Sequence, residues 1–359
     1  MNGEGPSPIV SRPTVSSVAL LAGVSRQTVS NALNNPERLQ PDTLKKVLAT
    51  IAETGYVRSA AARQMRTARS GVLAYRLDPV RDGIGGAVLD TFLHALSVEA
   101  ERRDYRVMLY TADSDEAELS QFSRLIQAQA VDAFILIETH RGDVRYQWLT
   151  EHGVPFSVFG RPWSDEGSGH GQVPTQDEGH AWVDVDGAAG TAEATSHLLG
   201  LGHREIAFLG WPKGSETGDE RRRGWAETLG QAGIGSDRLE SLDSEQPDGI
   251  LAGADAAIRL LATGATAFVC ASDSLGIGAL SAVQAGGGQA AVVGFDDTPT
   301  AAALGLSSIR QPIEKAVSCA LGSVFAQFDG ASGVTEGPNL LLPQLIVRTS
   351  SRPVSGSPA

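Results

Sequence analysis

Apolar residues fall at helical spacing in three short stretches near the start of the chain, and in strand-like runs through most of the remainder. Val18, Leu21 and Ala22 stand at i, i+3 and i+4, the spacing of one buried stripe, and Gly23 breaks the pattern. Ser25 is suited to cap a second helix, in which Val29, Ala32 and Leu33 repeat the stripe. A third helix follows Pro41-Asp42, with Leu44, Val47, Leu48 and Ile51 inward, and ends near Gly55. Two short helices joined at a glycine turn and backed by a third predict a helix-turn-helix over residues 13–57.

From about residue 71 the rhythm changes. Strand candidates are Val72–Tyr75, Val107–Tyr110, Ala133–Ile137, Phe156–Phe159, Ile206–Leu209, Ala267–Cys270 and Ala291–Val293. Amphipathic stretches such as Thr91–Arg102 and Ser274–Ala285 lie between most of them. This alternation predicts parallel sheet with helices on both faces, and so many strands fit two linked sheets better than one. The fold class expected is a small all-α helix-turn-helix head followed by an α/β two-lobed core. Ligands of such sheets sit beyond the carboxyl ends of the strands. Arg161–Trp182, rich in glycine and acids, reads as a surface loop, and His170 and His180 within it read as solvated rather than metal-bound.

Composition refines this picture at three points. The 42% apolar content is that of an ordinary globular chain, and no apolar run approaches the length of a membrane span. Residues 1–12 lack the basic start and apolar stretch of a secretory signal and read as a disordered lead-in. Cys270 and Cys319 have no ligand spacing and read as buried apolar groups in a reducing, cytoplasmic compartment. No metal or other cofactor is expected.

Charge is more telling. The net value of −13 speaks against nucleic acid, but its distribution does not. Residues 1–70 hold nine Lys and Arg against four Asp and Glu, an excess of five positive charges on an acidic body. A basic head suits phosphate, and an acidic body keeps the rest of the chain off it. With the apolar stripe of the second helix turned inward, Arg26, Gln27, Thr28, Ser30 and Asn31 are left facing outward. Arg and Gln each make paired hydrogen bonds to purine edges in the major groove. Thr28 and Ser30, with the capping Ser25, can bond phosphate oxygens and fix register.

The stretch TVSSVALLAGVSRQTVSNALNNPERLQPDTLKKVLATIAETGYV resembles the DNA-binding head of the LacI/GalR (lac-repressor) family. The resemblance implies that Arg26, Gln27 and Asn31 read bases. Asn31 stands where many members carry Arg, and Asn prefers adenine where Arg prefers guanine. It further implies that residues 58–70 form a hinge helix that folds on DNA, with Met65 as the apolar minor-groove wedge and Ala62 letting two hinges approach.

The resemblance runs on through VDVDGAAGTAEATSHLLGLGHREIAFLGWP, RRRGWAETLGQAGI, FVCASDSLGIGAL, VVGFDD and LLLPQLIVRTSS. It implies two lobes like a type I periplasmic sugar-binding protein, crossed three times by the chain, once near Arg310-Gln311. The first lobe would comprise about 71–180 and 311–335, the second about 181–310 and 336–350, with 351–359 a tail. Arg221 occupies the position whose guanidinium grips ligand oxygens, a fork suited to adjacent hydroxyls or a carboxylate. Asp296, at a strand end, can accept two hydroxyls. Ser272 stands where the family usually has Asn, Tyr75 falls at a family site position, and Trp211 follows a strand and could stack on a sugar face. Ser244–Gly249, where an aromatic platform is usual, has no aromatic residue.

The expected function is a ligand-responsive repressor of a carbohydrate operon, reading a near-palindromic DNA operator as a homodimer, without enzymatic activity. The ending SSRPVSGSPA lacks the family's tetramer-forming leucine repeat, so no tetramer is expected by that route. Two rivals remain. A cytosolic metabolite sensor without a DNA role would not need the basic head. A Rossmann-type enzyme would rest on DGIGGAV and GIGAL, neither of which gives the full Gly-x-Gly-x-x-Gly spacing.

Overall fold

The computed structural model describes residues 13–57, 64, 69–77, 86–163, 181–330 and 340–351. The chain divides into two compact units at Ser70/Gly71.

In the first unit, α1 (Val15–Ala22) is capped by Thr14, whose side chain accepts from the Ser17 backbone, and closes at Gly23 with φ +62°. Only glycine adopts that left-handed geometry without steric cost. Ser25 caps α2 (Arg26–Asn34), and a 3-10 turn (Pro36–Arg38) leads to α3 (Pro41–Thr54), which begins on proline and ends at Gly55 with φ +63°. Val18, Ala19, Ala22, Val29, Ala32 and Val47 form the core, with Leu33, Leu44 and Ile51 packed at its edge. Two expected core residues lie outside it: Leu21 is 65% exposed and Leu48 46%. Three short helices enclose too little volume for every stripe residue, and the alanines of α1 allow its backbone to close on the others. The hinge positions Ala62 and Met65, the lead-in and the tail beyond Ser351 lie outside the described residues.

The second unit holds two sheets. In chain order its elements are β1 (Val72–Arg76), α4 (Ala87–Arg102), β2 (Arg106–Tyr110), α5 (Asp115–Gln127), β3 (Ala133–Leu136), α6 (Arg145–Glu151), β4 (Phe156–Phe159), β5 (Trp182–Val185), α7 (Gly187–Gly200), β6 (Ile206–Gly210), α8 (Thr217–Gln231), α9 (Ser236–Leu242), β7 (Asp243–Glu245), α10 (Ile250–Ala262), β8 (Ala267–Cys270), α11 (Asp273–Ala285), β9 (Ala291–Phe295), α12 (Pro299–Ala303), β10 (Ser307–Arg310), α13 (Ile313–Phe328), β11 (Leu340–Leu341) and β12 (Gln344–Ile346). The sheets run β11-β5-β4-β3-β1-β2 and β12-β10-β9-β8-β6-β7. Every pairing is parallel except β10 with β12. Parallel strands need crossover helices, which is why strands such as β3 and β8 are buried along their whole length.

The lobe boundaries differ from those read in the sequence. β5 pairs with β4 (Val158↔Trp182), and β11 pairs with β5 (Leu340↔Asp184). Residues 182–185 and 340–341 therefore belong to the first sheet, and Trp182 is a buried strand residue rather than the end of a loop. The chain passes between sheets after Val185, after Arg310 and between Leu341 and Gln344. The loop residues 164–180, with His170 and His180, lie outside the described residues.

Glycines set the helix spacing in the second lobe. A Cβ on Gly224 of α8 would lie 2.0 Å from the Ala188 carbonyl oxygen of α7. Gly224→Ala is expected to force these helices apart, costing ~1–3 kcal/mol despite alanine's better helix propensity, and to lower the melting temperature of the purified chain by several degrees.

Candidate functional site

In the head, the outer side of α2 carries the residues expected to meet DNA. Arg26 and Gln27 are exposed, and Thr28, Ser30 and Asn31 are half-buried. Ser25 Oγ accepts the Thr28 backbone N–H at 3.0 Å, and the two hydroxyls share a further bond at 2.9 Å. Gln27 Nε2 donates to Asn31 Oδ1 at 3.1 Å, one turn along the helix, so two of the three candidate base readers brace each other. Ser30 is held less directly: Asn34 Nδ2 donates to its carbonyl at 2.8 Å and to its hydroxyl at 3.3 Å.

In the second unit, a cleft of about 210 Å³, open to solvent, lies between the facing carboxyl ends of the two sheets. Parallel topology brings these ends together: each strand stops at the cleft, and its following loop supplies the lining. Phe159 and Gly160 follow from β4, Asp184 and Val185 from β5, Trp211 from β6, Asp248 from β7, Ser272 from β8, Asp296 from β9 and Gln311 from β10. Glu138 and Thr139 come from beyond β3, Val88 and Leu89 from α4, and Thr217 and Arg221 from α8.

Arg221 is central. Its Nη1 donates to the Ala271 carbonyl and lies 3.8 Å from Asp296 Oδ1. Its guanidinium carbon sits 3.7 Å above the Phe295 ring and 5.2 Å from that of Trp211. Its Nε is buried and has no partner among the described residues, a donor in need of an acceptor. Asp296, with φ +110°, accepts from Gln311 Nε2 at 2.8 Å. Burial pushes its carboxyl up to about 7, against the opposing pull of Arg221. Burial likewise raises Asp184, opposed by Arg161, whose Nε donates to it at 2.7 Å. Two ion pairs span the lobes, Arg161–Glu220 at 3.3 Å and Arg141–Glu216 at 3.8 Å.

Four of the five effector residues expected from sequence line the cleft: Trp211, Arg221, Ser272 and Asp296. Tyr75 does not. Its ring is buried in the first lobe and stacked on Phe92, which in turn stacks on the cleft residue Phe159. Tyr75 is the one aromatic residue of β1, and its side chain belongs to the apolar cluster with Leu73, Phe92 and Leu96. Ser272 lines the cleft but is 1% exposed. Its hydroxyl accepts from the Leu275 backbone as the cap of α11 and donates to Asp248. Trp225 is core, its indole N–H donated to the Ile206 carbonyl at 3.0 Å. Glu138, Asp184, Asp248 and Gln311 were missed as site residues. Gln311, beside the expected crossing, and Asp248, within the Ser244–Gly249 stretch, carried a signal; Glu138 and Asp184 join them through topology.

One histidine–carboxylate cluster lies apart from the cleft, formed by Asp115, His140 and Asp143. Arg145 donates to both oxygens of Asp143, at 2.8 and 2.6 Å, which makes the cluster part of an ion network rather than a set of open ligands. Among the described residues no helix is long and apolar enough to cross a membrane.

Comparison with known proteins covers both units of the chain. Residues 14–59 match the model of bacterial regulatory proteins of the lacI family, and residues 195–351 that of the periplasmic binding protein-like domain. The chain is 34% identical over 317 residues to the HTH-type transcriptional regulator CelR of Thermobifida fusca, covering 84% of this chain and 88% of that protein. It is 28% identical to the HTH-type transcriptional regulator Rv3575c of Mycobacterium tuberculosis, over 84% and 87% of the two chains. Among solved structures, a LacI-family regulatory protein from Chloroflexus aggregans superposes with a TM-score of 0.67 at 30% identity, over 78% of this chain and 98% of that one. A complex of the transcriptional regulator CelR with cellobiose superposes at 0.63, also at 30% identity, over 94% and 100%. A helical head bearing an outward polar face, a two-sheet core closing on a polar cleft, and this extent of identity place the chain in the LacI family, as a DNA-binding transcriptional regulator.

Proposed function

We propose that the chain is a sugar-responsive repressor that acts in the cytoplasm, binds a near-palindromic operator as a homodimer, and catalyses no reaction. The observation that carries the effector reading is the chemistry of the cleft. Glu138, Asp184, Asp248 and Asp296 line it with one arginine, Arg221, while Arg76 and Arg161 pair with Glu138 and Asp184 from outside the lining, and Phe159, Phe295 and Trp211 supply apolar walls. Such a lining offers many acceptors and little positive charge. It suits a neutral polyol, whose hydroxyls donate to carboxylates, and disfavours sugar phosphates and sugar acids. The cellobiose held by the CelR relative is a ligand of this class.

The homodimer reading rests on apolar side chains left on the outside of the second unit. Val98 of α4 and Leu109 of edge strand β2 are 54% and 47% exposed on the first lobe. Leu251 and Ile258 of α10 are 82% and 58% exposed on the second. Exposed apolar side chains on both lobes are the kind of surface a partner copy would cover. For a ligand to switch such a dimer, it must bind the two dimer states unequally.

The test is a thermal-shift screen of neutral sugars, sugar phosphates and sugar acids, followed by operator mobility shifts with each hit. Stabilisation by neutral sugars, with altered operator binding, is the expected result; stabilisation by anionic ligands alone overturns the effector reading.

Affinity should also depend on pH. Sugar hydroxyls need Asp296 ionised, and its carboxyl holds a proton up to about pH 7. Calorimetric affinity is therefore expected to rise as pH climbs through 7, by up to about thirty-fold from pH 5.5. Ligand-free stability carries the opposite sign. Between the unfolded carboxyl's value near 4 and the folded one near 7, the folded chain binds the extra proton, so this group's contribution falls as pH rises.

A further inference from the structure

The loops after three adjacent strands of the second sheet, β7, β6 and β8, meet at one carboxylate. Asp248 Oδ1 accepts the indole N–H of Trp211 at 3.2 Å and the hydroxyl of Ser272. Ser272 is itself fixed as the cap of α11, and Trp211 is flanked by the Arg221 guanidinium. Both donors converge on the same oxygen. Among the described residues, no hydrogen bond falls on Asp248 Oδ2, and Asp248 lines the cleft half-buried.

We propose that Asp248 is a specificity-determining residue of the effector site, its Oδ1 clamped by Trp211 and Ser272 so that Oδ2 is presented to one hydroxyl of the ligand. This rests on the sugar reading above. In that reading Asp248, within the Ser244–Gly249 stretch that has no aromatic residue, meets its ligand by a directed polar contact rather than by an aromatic face. The clamp matters because a carboxylate held in one orientation loses little freedom on binding, and a charged acceptor makes a stronger hydrogen bond than a neutral one. A site built to receive a hydroxyl also rejects the analogue that lacks it, since the acceptor is then left desolvated and unpaired. The clamp consumes the Ser272 hydroxyl and the indole N–H, so neither of these donors is left to contact the ligand directly.

The test uses Asp248→Asn in the full-length protein. The substitution keeps an oxygen for the two clamping donors and puts an N–H₂ donor in place of the open acceptor. Cellobiose, maltose, glucose, galactose and ribose are first titrated calorimetrically into the unaltered protein. The tightest binder is then compared with its singly deoxygenated analogues on both proteins. The unaltered protein is expected to lose about ten- to hundred-fold affinity when one particular hydroxyl is removed. Asp248→Asn should bind the parent sugar weaker by a similar factor and be insensitive to removal of that same hydroxyl. Asp248→Ala should show the same insensitivity. Melting temperatures of the ligand-free proteins check that the variants fold. If both variants lose affinity while every deoxy analogue costs them what it costs the unaltered protein, or if Asp248→Asn binds as tightly as the unaltered protein, the assignment is overturned and the sugar reading stands. If the unaltered protein binds none of these sugars, the sugar reading fails and Asp248's role fails with it.

Discussion

Asp296→Asn is expected to weaken effector binding about a hundred-fold, on the order of 3 kcal/mol, and to leave operator occupancy unresponsive to sugar at concentrations that release or recruit the unaltered protein. The substitution is isosteric, and Asn, like Asp, is among the residues that tolerate positive φ, which this position adopts at +110°. It can keep the hydrogen bond from Gln311, made at 2.8 Å. What it removes is the charge beside Arg221, 3.8 Å away, and the capacity to accept two hydroxyls at once. Isothermal calorimetry with the tightest-binding sugar, alongside an operator mobility shift with and without that sugar, reads both effects. Undiminished affinity would show that the Asp296–Arg221 pair is a structural tie between β9 and α8, with no ligand contact.

The second large effect lies in the head. Arg26→Ala is expected to cost ~1–3 kcal/mol at each half-site and to relax the choice of base pair there, because one bidentate contact to a purine edge is lost. Thr28→Ala should instead weaken every sequence alike. Its hydroxyl, bonded to Ser25 at 2.9 Å beside the first turn of α2, is placed for a phosphate. Titrations against the operator and against half-site variants at fixed ionic strength separate the two, since salt alone shifts all affinities together. Parallel losses on every sequence for both variants would remove Arg26 from the base-reading set.

Much of this architecture was legible because parallel strands buried on both faces are apolar throughout. Runs such as Ala133–Ile137 and Ala267–Cys270 announce themselves, and the structure places strands at Ala133–Leu136 and Ala267–Cys270. β10 was missed for the opposite reason. Its Ser307 and Ser308 are fully buried, yet they are polar residues satisfied by Ser351 and Asp273 from distant parts of the chain. Hydropathy does not register a partner that has yet to arrive. β7, Asp-Ser-Glu at a sheet edge, is polar because one side faces solvent. The same logic divides the cleft. Arg221 and Asp296 sit in recognisable local patterns, whereas Glu138 and Asp184 are isolated acids until the fold brings them to the cleft. Tyr75 shows the converse: a residue in the expected place along a strand whose ring packs on Phe92 outside the cleft lining.

Two acids that line the cleft from different lobes differ in how they are anchored, and this bears on anyone wishing to retune the protein as a biosensor. Glu138 is gripped by Arg76 at 2.8 Å, Arg76 also holds Glu118 at 2.7 Å, and Glu118 is locked by the buried Arg145 at 3.1 Å and by the Tyr110 hydroxyl at 2.6 Å. Exchanging Glu138 for a neutral residue takes one carboxylate from an enclosed lattice of charges, where breaking a pair is expensive. Asp248 leans only on an indole and a hydroxyl, neutral donors that a water molecule can satisfy. Libraries aimed at new effectors should therefore diversify Asp248 and leave the Arg76–Glu138 wall as fixed scaffold.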